Sequence, residues 1–215
     1  MNTNTRREKN FSPFSGEMEE LECQTVDFVT DMRIPVLIIY VTCNYSFEIF
    51  GGHIIERGPS VLLLRRGFNV SAMPGLWSVV AGVDDIVDTR FNAIERQEIR
   101  VVNEISEESG IPYEGIRKLI LMAYRDQPNA SNQGQIFRQS LYWVEVDPVK
   151  RVSLDYEHTG AIFVPIRVIE EYLETGATED KELSVILKDG VTPDFIDGMR
   201  ILVKKFRSAI LANKF

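Results

Sequence analysis

Glu104, Glu107 and Glu108 stand at i, i+3 and i+4 within ERQEIRVVNEISEESGI, residues 95–111. On a helix that spacing gathers three carboxylates onto one face, about one turn apart. Like charges so placed repel, and the cluster costs helix stability unless a cation offsets it. Oxygen ligands with no lysine among them suit a hard divalent ion, Mg²⁺ or Mn²⁺. A cation held there would make a bound water more acidic. A solvated acidic face is the plain alternative.

The elements that must position these groups are legible around them. Ile99, Val102 and Ile105 recur at spacings of three, which predicts a helix lying against a core. Gly110 ends that helix as a C′ residue would, and Ile111-Pro112 keeps it from restarting. Upstream, residues 34–45 and 61–64 are β-branched or apolar and predict buried strands. Residues 47–55 read as a hairpin or an irregular excursion, and Gly58-Pro59 as a turn. LWSVVAG, residues 76–82, predicts a further strand entering a glycine turn, with Trp77 as a packing residue. The loop of residues 83–90 carries Asp84, Asp85 and Asp88, which either face solvent or reach the acidic cluster.

After the helix, residues 117–124 and 135–146 predict a strand pair joined by a polar linker over 125–134. Thr192-Pro193-Asp194 opens a last helix with an N-cap, a proline at N1 and an early acid. Its stripe, from Phe195 to Leu211, suits covering the sheet or contacts between two copies of the chain in a homodimer.

The acidic helix resembles the signature of the Nudix hydrolases, G-x5-E-x7-R-E-U-x-E-E-x-G-U, with U a bulky apolar residue. Glu95, Glu104, Ile105, Glu107, Glu108, Gly110 and Ile111 fall on its positions. Asn103 stands where the pattern has arginine, and Arg96 or Arg100 is the candidate replacement cation. Thr89 stands where the pattern opens on glycine; Gly82 is the nearest glycine, which lengthens the loop by about seven residues, a cheap insertion. The resemblance covers roughly residues 33–175 and implies a Nudix-like α/β/α sandwich with a mixed sheet. The domain is expected over residues 21–176, behind a flexible tail at 1–20 and ahead of a helical extension at 177–215 packed on it.

What the resemblance implies about activity is Mg²⁺- or Mn²⁺-dependent hydrolysis, by a metal-activated water, of the diphosphate in a nucleoside diphosphate linked to another moiety. Glu104 and Glu108 are then the metal ligands, and Glu107 a ligand, the base, or both. Arg65 and Arg66, closing an apolar strand, either meet the substrate phosphates or pair with a carboxylate. Glu157-His158 resembles a Glu-His pair that many Nudix chains place before a strand and a helix, here 161–164 and 166–175. Glu157 either joins the catalytic set as base or ligand or fixes its loop to backbone, and His158 stands beside it. The alternative is a Nudix-fold protein that binds a nucleotide or sugar-nucleotide and regulates without cleaving it.

Composition narrows the partners. A net charge of −8 opposes binding to a nucleic-acid backbone but leaves a small diphosphate open, since a metal supplies local positive charge. Cys23 and Cys43 form no disulfide framework, and two distant histidines disfavour zinc. No run approaches a membrane span and no secretion signal is legible, so a cytoplasmic setting is expected.

Overall fold

The computed structural model describes residues 34–45, 48–50, 53–55, 58–83, 93–128, 135–149, 151–193 and 195–212. All of them fall in one unit, Met32–Phe215. The expected tail at 1–20, Asp84, Asp85 and Asp88, and most of the 125–134 linker lie outside the described residues.

Segments crowded with β-branched and aromatic side chains become the strands. In chain order the elements are β1 (Ile34–Tyr45), β2 (Glu48–Phe50), β3 (His53–Ile55), β4 (Gly58–Arg66), β5 (Trp77–Ser78) and β6 (Val80–Val83). There follow α1 (Ala93–Ser109), β7 (Ile116–Pro128), β8 (Ile136–Val146), β9 (His158–Pro165), α2 (Ile166–Thr175), α3 (Lys181–Asp189) and α4 (Phe195–Ala212). Gly58-Pro59, expected as a turn, instead begins β4, with Gly58 absorbing a φ of 67°. The expected excursion at 47–55 contains the antiparallel pair β2 and β3.

Seven strands make one mixed sheet ordered β5-β4-β1-β8-β7, with β6 also paired to β1 and β9 to β4. β1 runs parallel to β8, and the other pairings are antiparallel. β1 is paired antiparallel with two strands in succession: Val36–Ile39 meets β6, and Thr42–Tyr45 meets β4. The split matters because it delivers the end of β6 to the acidic helix.

Both faces of the sheet are covered, which is why its central strands read as continuous apolar runs. Ile38, Tyr40, Val61, Leu63, Leu141 and Trp143 form one core with residues of α2, α3 and α4. Their neighbours Leu37, Ile39, Leu62, Leu64 and Tyr142 alternate to the opposite face and are also buried. There Tyr142 Oη donates to Gln97 Oε1 of α1, 3.0 Å away. The result is an α/β/α sandwich.

Residues past 176 share the core: Leu183, Ile186, Phe195, Met199, Leu202 and Val203 pack with the sheet residues, and Trp143 meets Phe206 edge-on. α3 lies within the helical extension expected at 177–215, ahead of the helix that Thr192-Pro193-Asp194 was expected to open. Asp180 caps it, its carboxylate accepting from the Leu183 N–H at 2.8 Å.

Candidate functional site

α1 does not bury the stripe expected of it. Ile99 is 40% exposed, while Gln97, Val101, Glu104, Ile105 and Glu108 are buried. Those five follow i, i+4, i+7, i+8 and i+11, a regular helical face that includes two of the three acids. Glu104 and Glu108 are only 5% and 7% exposed. The acidic face is therefore no solvated one. Glu107, with its side chain 59% exposed, looks outward, as does Asn103. Gly110, at φ 66°, ends the helix with its N–H on Ser106 O.

Two acids can turn inward because β6 and Arg100 receive them. A methyl group on Gly82 would run into the Glu104 carboxylate, so a glycine within β6 is what admits that side chain. One residue earlier, the Ala81 backbone N–H donates to Glu108. Arg100, one turn before Glu104, forms an ion pair with it and holds a second nitrogen 3.8 Å from Glu107. The guanidinium thus lies among the acids, with Asn103 exposed in the position where the signature has arginine.

Glu108 carries the strongest electrostatic perturbation. Burial pushes its carboxyl up to about 9, and the neighbouring Glu104 and Asp155 charges add to the shift. The Ala81 N–H and the Arg66 charge oppose it without prevailing. Without a further cation, Glu108 is a neutral acid at pH 7.

The paired arginines separate. Arg66 Nη2 lies 3.3 Å from Glu157 Oε2, and its Nε donates to Ala72 O. Its charge is felt at Glu108. Arg65 instead pairs with Asp189 Oδ2 at 3.2 Å, beneath the Trp77 ring whose Nε1 donates to the same oxygen. The pairing of β4 with β9 shifts register between these two residues, and the two guanidinium groups meet different carboxylates.

Glu157 is held by Arg66 and by the Tyr156 hydroxyl, which donates to its Oε1. Its neighbour His158 reaches the acids instead. His158 Nδ1 sits 2.8 Å from Asp155 Oδ1, and Nε2 lies 3.9 Å from Glu108 Oε2. Sequence reasoning gave His158 a place only by association; the Asp-x-x-His spacing of Asp155 and His158 was its available signal.

No family model matches the sequence, and no curated protein matches it. Solved structures do. The Nudix domain of Shewanella oneidensis NrtR, complexed with ADP-ribose, superposes with a TM-score of 0.51 at 9% identity, over 84% of this chain and 93% of that one. A Nudix hydrolase from Alicyclobacillus acidocaldarius gives 0.50 at 11% identity, over 80% and 91%. The chain has the Nudix fold. At these identities the likeness speaks for the architecture, and the resemblance read from the acidic helix is borne out at that level.

Within the Nudix fold, the donor set over β6 fits a divalent cation. Two buried carboxylates stand together, and one is forced towards protonation for want of compensating charge. A hard cation suits such oxygen donors and removes the reason for that proton. Among the described residues no group of three or more His, Cys, Asp or Glu side chains is placed to hold a metal ion, so these residues offer a cation no more than two of them at once. Glu95, in the first turn of α1, is exposed. Among the described residues no helix is long and apolar enough to cross a membrane.

Proposed function

We propose that this chain hydrolyses the diphosphate bond of a nucleoside diphosphate linked to another moiety, using Mg²⁺ or Mn²⁺ held by Glu104 and Glu108. The observation that carries the reading is that pair of buried carboxylates over Ala81–Gly82, in a Nudix fold. A divalent cation bound there supplies positive charge to the diphosphate oxygens and makes water more acidic. Glu107, facing solvent one helical turn from Glu104, takes the proton of the attacking water. The water oxygen bonds to phosphorus, the bond from phosphorus to the bridging oxygen breaks, and the second phosphate leaves with that oxygen. Arg66 meets the phosphates, with Glu157 setting its direction. Arg65, bonded to Asp189 and Gly75 O, supports the Trp77 corner of the fold.

A panel of nucleoside diphosphate conjugates, incubated with Mg²⁺ or Mn²⁺ and then with chelator, tests this directly. Product release that stops with chelator, and falls at least ~10²-fold in Glu107→Gln or Glu108→Gln, is the expected result. Unchanged turnover in both variants refutes the assignment.

The ion pair of Arg100 with Glu104 favours a second reading, since an internal cation already neutralises one acid. In that case the chain is a Nudix-fold sensor that binds a nucleotide or sugar-nucleotide intact. Members of the same panel then raise the melting temperature and release no product.

A further inference from the structure

His158 opens β9 with its side chain 1% exposed. Its orientation is set from behind. Asp155 Oδ1 accepts from the Glu157 N–H at 3.0 Å and meets His158 Nδ1 at 2.8 Å, so a short turn holds the carboxylate against the ring. A carboxylate only accepts, which puts the proton on Nδ1 and leaves Nε2 with its lone pair free to bind. Nε2 is buried and has no hydrogen-bond partner. Such an atom needs an explanation, because a buried polar group ordinarily finds one.

The space in front of Nε2 holds Glu108, whose Oε2 stands 3.9 Å away. That is too long for a hydrogen bond. It lies within the span of two donors to one cation, each about 2.0–2.2 Å from the metal and so at most about 4.4 Å apart. The Asp155–His158 arrangement is also the one in which a carboxylate behind an imidazole fixes its tautomer and strengthens it as a ligand.

We propose that His158 Nε2 and Glu108 Oε2 jointly ligate a divalent cation, and that the imidazole nitrogen tunes this site towards first-row transition ions, Mn²⁺ and Co²⁺, over Mg²⁺. Nitrogen donors raise affinity for borderline ions much more than for Mg²⁺, which prefers oxygen and keeps its waters. The inference rests on the diphosphatase reading for one thing alone, that a divalent cation binds at Glu108. Asp155 is then a positioning residue acting through the ring.

The test needs the full chain and the metal chlorides, with no substrate. Electron spin-echo modulation of protein-bound Mn²⁺ shows the ¹⁴N signature of a coordinated imidazole in the wild type, and the signature disappears in His158→Gln. By titration calorimetry, His158→Gln lowers Co²⁺ affinity at least ~10-fold while Mg²⁺ affinity moves less than ~3-fold, and Asp155→Asn lowers Co²⁺ affinity by a similar factor. Melting in chelator confirms that each variant is folded, and the wild-type ¹⁴N measurement stands even where a variant is not. Bound Mn²⁺ without ¹⁴N modulation, or an unchanged Co²⁺ to Mg²⁺ ratio in His158→Gln, overturns the proposal and leaves the diphosphatase reading intact. A wild-type chain that binds none of the three ions at millimolar concentration overturns both.

Discussion

Glu108→Gln should stabilise the metal-free protein while disabling the proposed hydrolysis, and the gain should grow with pH. In the folded chain, burial and the Glu104 charge raise the Glu108 carboxyl from 4.5 to about 9. An acid raised on folding leaves the fold most stable below its unfolded value. That stability is lost progressively between 4.5 and about 9 and is flat beyond. Each unit in that window costs about 1.4 kcal/mol, so by pH 7.5 the linkage amounts to roughly 4 kcal/mol. Glutamine has the shape of the protonated acid and never ionises. Allowing about 1 kcal/mol for imperfect hydrogen bonding of the added N–H leaves a net gain near 3 kcal/mol at pH 7.5. For a chain of this size that is a rise in Tm of roughly 6–12 °C. The assay is thermal or urea unfolding of wild type and variant in chelator at pH 5, 6.5 and 8, where titrating groups remote from Glu108 cancel in the difference. A gap that is small at pH 5 and widens to pH 8 is expected. A gap independent of pH, or a variant less stable than wild type at pH 8, would refute the argument that Glu108 is a buried carboxyl short of positive charge.

Two further outcomes follow from the same packing. Gly82→Ala places a methyl group in the Glu104 carboxylate, so it should weaken Mg²⁺ or Mn²⁺ binding by at least ~10-fold in calorimetry; unaltered binding would show that Glu104 is no ligand. Arg100→Ala removes the guanidinium paired with buried Glu104 and should lower unfolding stability in chelator by roughly 2–4 kcal/mol. Millimolar Mg²⁺ should then recover more stability in that variant than in wild type, and equal recovery in both would separate Arg100 from the cation site.

Local signals in the chain carried most of the architecture. The strand at 34–45 and the close of α1 at Gly110 were readable because β-branched runs and cap residues act over a few neighbours, whereas the helix at 166–175 came from the resemblance alone. The bounds of the helix at 181–189, inside the expected helical extension, were not marked, since its two buried residues, Leu183 and Ile186, make too short a stripe to place it. The spacing of Glu104, Glu107 and Glu108 announced an acidic cluster, and its resemblance pointed to the fold. Which acids are buried was beyond it. That depends on β6 arriving beneath α1 through the split pairing of β1, on a glycine within it, and on Arg100 folding back onto Glu104. The exposure of Ile99, the parting of Arg65 from Arg66, and the aim of His158 at Glu108 were likewise decided in three dimensions. Helical and strand periods are properties of consecutive residues, whereas burial and charge pairing belong to segments that meet only after folding.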